Sequence, residues 1–175
     1  MKKKIILAII SFFLISIWLF PNQAGAETQK YKIVMYFTKF EVAPIPAMEG
    51  QTYFLCEFRG LTFWENGGTS FYSGAAIGEG YKGKGPVQNC IVHTFADGST
   101  IVSKNKFINI SAPDGKTGLY EDITGEIVKG TGRFEGIKGK VTAKGKRLTP
   151  LSPGLKEMRG DAVVEGSMTY TLPSK

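Results

Sequence analysis

Residues 78–92 read GEGYKGKGPVQNCIV, and the residues after the glycines decide the fold. Gly78, Gly80 and Gly83 stand at the G-x-G-x-x-G spacing of a dinucleotide site. Gly78, Gly83 and Lys84 stand at the G-x-x-x-x-G-K spacing of a P-loop. Either motif needs a parallel strand before it and a helix after it, because the helix N-terminus and loop amides hold the phosphate. Here Pro86-Val87-Gln88-Asn89-Cys90-Ile91-Val92 has the composition of a strand. Position 85 is glycine where a magnesium-binding Ser or Thr belongs, and the positions about 20 residues on are Ser103 and Lys104, not an acid. The glycines therefore serve the backbone, at a bend between two strands.

Working outward from that bend, the side-chain period stays close to 2. Tyr31, Ile33, Met35 and Phe37 alternate with Lys32, Val34, Tyr36 and Thr38. Residues 52–64, TYFLCEFRGLTFW, are aromatic and β-preferring. Further runs fall near 69–79, 86–96, 99–110, 118–129, 137–146 and 161–172, with Asp97-Gly98 and Asp114-Gly115 marking turns. No 12-residue window after the first 26 positions carries a 3.6-residue apolar repeat. Eight strands of about ten residues joined by turns predict an all-β protein, a closed eight-stranded antiparallel barrel in preference to a sandwich with open edges. Two longer connections, 42–50 and 148–160, each with two prolines, are candidate rims.

The N-terminus has its own character. Lys2, Lys3 and Lys4 precede an uncharged, largely apolar run from Ile5 to Phe20, and Ala24-Gly25-Ala26 fits an A-x-A cleavage site. This predicts a bacterial-type signal peptide over 1–26 and a single domain over 27–175, exported to the periplasm or beyond, with no stable membrane insertion after cleavage. Loss of three lysines leaves 19 basic against 15 acidic residues, so the formal charge falls from +7 to +4. The remaining lysines are scattered, which argues against nucleic acid as a partner. A domain of this length buries roughly 68–70 % of its extended surface. Cys56 and Cys90 form an even pair in an oxidising compartment, and a bridge between them is expected.

A second glycine run, GTGRFEGIKGKV at 130–141, resembles the G-[TS]-G-x-[FY]-x-G-x-x-G signature of the allene oxide cyclase-like barrels, a group that includes the dirigent proteins. NCIVHTFADGSTI (89–101) is similar to the cysteine-strand and Asp-Gly hairpin of its bacterial members, and the order of elements agrees over about residues 50–172. The resemblance implies a calycin-like barrel with an apolar interior that holds a flexible or reactive substrate in shape. It makes Gly130, Gly132, Gly136 and Gly139 structural. The region that should carry the cyclase's Glu-x-Asn pair, YFTKFEVAPIP (36–46), lacks it.

Three functions are compatible with these features: a barrel binding a small apolar, lipid- or terpenoid-like molecule; a cyclase, isomerase or dirigent-like enzyme of the allene oxide cyclase type; and a structural envelope protein with a filled barrel. The first is preferred. Counting by twos puts Phe54, Cys56, Phe58, Gly60, Thr62 and Trp64 on one face of the second strand and Glu57 and Arg59 on the other. The aromatic face is read as the interior, so Tyr36, Phe54, Phe58 and Trp64 are the expected ligand-binding residues. Glu57 is the one weak catalytic candidate, since a carboxyl group inside an apolar barrel would have a raised pKa. With Cys90 bridged to Cys56, His93 falls on the outer face. A lone histidine makes neither a metal site nor a triad, so no metal and no cofactor are expected. Homo-oligomers occur in the family this chain resembles.

Overall fold

A computed structural model describes residues 25–112, 117–150 and 161–173. The expected signal segment lies almost wholly outside the described residues, as do most of the 148–160 connection and Asp114-Gly115. The chain forms eight strands: β1 (Glu27–Pro44), β2 (Gln51–Trp64), β3 (Thr69–Tyr81), β4 (Lys84–Phe95), β5 (Thr100–Ser111), β6 (Gly118–Thr131), β7 (Lys138–Arg147) and β8 (Ala162–Thr171). Each pairs antiparallel with its neighbours in sequence, and β1 also pairs with β8, which closes the barrel. Closure removes every free edge.

The GEGYKGKG stretch is the β3–β4 hairpin. Tyr81 pairs with Lys84, and the two residues between them, Lys82 (φ +48°) and Gly83 (φ +80°), both lie in the left-handed region. That is the geometry of a primed two-residue turn, whose twist matches that of the flanking strands. The glycine signature builds the β6–β7 turn, a single 3₁₀ turn over Gly132–Phe134 that buries both Phe134 and Ile137. Gly132 (φ +62°) and Gly136 (φ +76°) supply backbone that L side chains rarely adopt. Gly130 and Gly139 are extended, but a Cβ on either would collide with a carbonyl oxygen, of Phe134 or Thr169 respectively. The turn is tied to the β4–β5 hairpin: Arg133 pairs with Asp97 at 2.9 Å, and Thr100 with Thr131 by a 2.7 Å hydroxyl hydrogen bond. Hydrogen bonds that Asp97 accepts from Ser99, together with Arg133, hold its carboxyl below the usual range.

Strand β1 runs through Val42 to Pro44, where the prolines suggest a loop, because β2 offers a full ladder as far as Thr52. A bulge at Thr38 shifts the inward face from Phe37 to Phe40. Two inward aromatics on β2 lie over glycines on β3. Phe54 pairs with Gly78 and Phe58 with Gly74, and a Cβ at either glycine would press into the ring. The two ends of the barrel differ in what their inward positions carry. Trp64, Phe95, Phe134 and Tyr170 crowd the end that holds the β6–β7 turn. Thr52, Gly80, Asn109 and Ser111 leave the opposite end open.

Gly132→Val should lower the unfolding free energy by about 1–3 kcal/mol through backbone strain alone, and by more once the side chain meets Ser99. Gly67→Val is the reference, since Gly67 has φ +82° but open space around it. Urea unfolding at constant slope measures both, and equal losses would show that the Ser99 contact is immaterial.

Candidate functional site: the barrel interior

Small side chains at the open end and large ones at the closed end leave a cavity with about 190 Å³ of room for water-sized atoms. One water needs roughly 10–15 Å³ on that scale, so the interior is not filled by its own side chains. Ile33, Met35, Phe37, Phe58, Val87 and Ile91 make the apolar wall. Phe40 stacks on Phe54 at 5.8 Å towards the mouth, and Phe58 stacks on Tyr72 at 5.6 Å further in.

Polar groups enter this wall in three places. At the closed end, the His93 Nδ1 lies 3.0 Å from the Thr62 hydroxyl and 3.5 Å from that of Ser70, which accepts a 3.0 Å hydrogen bond from the Trp64 indole. The rings of Tyr31, Trp64 and Tyr72 surround the imidazole at 5.2–6.2 Å. His93 is 2 % exposed, and burial pushes its pKa down to about 4, so it is neutral at pH 7. On the β4–β5 wall, the Asn105 amide donates to Asn89 (2.8 Å) and Ser103 (3.3 Å), while its Oδ1 lies over Gly125 without a hydrogen-bond partner among the described residues. Near the mouth, Tyr120 and Arg147 line the cavity from β6 and β7. Burial raises the phenol pKa of Tyr31, Tyr72 and Tyr120, so all three stay protonated.

The expected site residues divide. Phe54 and Phe58 line the cavity. Trp64 is buried but belongs to the plug at the closed end, stacked on Phe95 at 5.7 Å. Tyr36 is 49 % exposed on the outside of β1, on the same face as Lys32 and Val34, because Tyr31, Ile33, Met35 and Phe37 take the inside. Glu57 faces solvent on β2, away from the cavity. No bridge joins Cys56 and Cys90; both thiols are free. The cysteines sit on strands separated by β3, opposite Ala76 and Ala75, one buried inside and one exposed outside. Two strand spacings, about 9–10 Å, exceed the roughly 7 Å Cα separation a disulfide can span. Burial pushes the Cys56 thiol up to about 12, which keeps it un-ionised. With no bridge to pull Cys90 inward, the alternate face of β4 lines the interior, and His93 is inside rather than outside.

The sequence matches no protein-family model and no curated protein. Among solved structures, a pterocarpan synthase dirigent protein is similar at 13 % identity and a TM-score of 0.46, over 89 % of this chain and 90 % of that one. The eight-stranded barrel rests on the strand pairing itself and has the architecture the glycine signature implied. Among the described residues, no group of three or more His, Cys, Asp or Glu side chains could hold a metal ion. Thr62 was placed on the inward face of the second strand, but Tyr72, Asn105, Tyr120 and Arg147 were not singled out from sequence. Their only signal was position on an inward face, and that required knowing the register.

Because the His93 pKa is lower folded than unfolded, the unfolded chain binds the extra proton between about pH 6.5 and 4. The stability His93 confers when neutral is full above that window and is lost as pH falls through it. The loss amounts to about 3 kcal/mol. His93→Gln should flatten the pH dependence of urea unfolding between pH 7 and 4 relative to the wild type. Parallel slopes would contradict a buried neutral imidazole.

Proposed function

We propose that this protein binds a small apolar molecule, lipid- or terpenoid-like, inside the barrel. The observation that carries the reading is the cavity of about 190 Å³, walled by aliphatic and aromatic side chains and holding a few convergent polar groups. Such a combination is characteristic of ligand sites, where apolar area supplies affinity and sparse polar groups fix orientation. The open end gives a route of entry past Val42, Thr52 and Ser111. The lysine cluster at 2–4, the apolar run to Phe20 and the Ala24-Gly25-Ala26 site support export, so the ligand would be met outside the cytoplasm.

Mass spectrometry of protein isolated from its own host tests both parts at once. The intact mass should correspond to a chain starting at Glu27, and the organic extract should contain a stoichiometric apolar molecule. Ala143→Leu, which extends a larger side chain into the cavity from β7, should weaken binding of that molecule by about tenfold or more while the barrel stays folded. An empty extract from a correctly processed protein, with no affinity for any apolar molecule in titration, would leave the ligand-binding reading without support.

A further inference from the structure

The mouth of the cavity carries a donor that the fold leaves unused. Tyr120 is 6 % exposed on β6, its ring edge-on to Phe107 at 5.6 Å. Arg147 is 3 % exposed at the end of β7, and Nη2 donates to the Thr117 carbonyl at 2.8 Å. Gly118 pairs with Arg147, and a Cβ there would stand a tight 3.3 Å from the guanidinium Cζ. The guanidinium bears on the Tyr120 oxygen. Its nitrogens are donors only and cannot take the phenol proton. Among the described residues no acceptor lies within hydrogen-bond reach of that hydroxyl. Buried donors are almost always satisfied, so an orphan facing a cavity asks for a partner from what enters it.

We propose that the Tyr120 hydroxyl, backed by the Arg147 charge, recognises an acceptor oxygen on the ligand, so the barrel selects apolar molecules bearing a carbonyl or carboxylate over those bearing an amine. This rests on the ligand-binding reading and adds an orientation to it. The oxygen sits at the mouth against β6 and β7. The apolar body runs inward between Met35, Phe37, Phe58 and Ile91, where no cation among the described residues lines the wall. Burial keeps the phenol protonated, so the donor persists across the physiological pH range. An ammonium head placed at this point would meet the phenol donor and a neighbouring positive charge, whereas a carbonyl or carboxylate oxygen would accept the phenol proton.

The test is calorimetric titration of the full chain with three ligands of equal length: decanoate, methyl decanoate and decylammonium. The acid and the ester should bind at least about tenfold tighter than the amine. Tyr120→Phe should weaken the acid and ester by about tenfold and leave the amine unchanged, while the barrel stays folded. The proposal is overturned if the amine binds as tightly as the acid, or if Tyr120→Phe binds decanoate like the wild type. It is equally overturned if Tyr120→Phe loses binding only together with melting temperature, the mark of a structural hydroxyl. If none of the three binds the wild type and its extract is also empty, the ligand-binding reading itself fails. Equal binding of acid and amine defeats the orientation alone.

Discussion

The pairing of β1 with β8 is the contact on which everything else depends. Nine residue pairs, from Glu27–Tyr170 to Met35–Ala162, turn a meander into a tube. Once the sheet is closed, alternate residues of every strand must share one interior, and at eight strands that interior is barely wide enough to be filled by side chains or to keep one small space. Bulges at Thr38, near Val128 and around Asp122 (φ +52°) take up the curvature. Phe54 and Phe58 lie across Gly78 and Gly74, so the β2 rings fold onto the β3 wall instead of reaching across the tube. The space they leave is the cavity.

Much of this architecture was legible in the residues, because period-2 alternation and turn chemistry are local. Strand positions came within a few residues for all eight, and the β2 face was assigned correctly: Glu57 and Arg59 are polar, so their face had to be the wet one. The failures fall where both faces are plausible insides. On β4, Cys90 and Val92 compete with Ile91, His93 and Phe95. A bridge to Cys56, expected from the even count and the likeness to an exported chain, tipped the strand the wrong way and put His93 outside. Tyr36 shared a face with Lys32 and should have been placed outside on that ground. The bulge at Thr38 is invisible to a counting rule, and so is the inward turn of Phe40 and Val42 beyond it.

The chemistry of the interior comes from burial without compensating charge. A histidine there is held neutral, a thiol is held un-ionised and three phenols remain protonated, all by the same desolvation. Strong acids and bases are absent from the described wall except for Arg147, and Arg147 sits near the mouth. The lining therefore offers shape and a handful of neutral hydrogen-bonding groups, which suits holding a molecule. The polarity gradient, cation at the mouth and aliphatic wall within, gives the cavity a direction.

The most direct test is a crystal structure of the protein purified from its own host. The account predicts continuous density for a bound molecule running inward from Tyr120 between Phe37, Phe58 and Ile91, within a barrel closed by the β1–β8 ladder. An interior filled by repacked side chains, with Phe54 and Phe58 swung across the tube and no enclosed space, would contradict it.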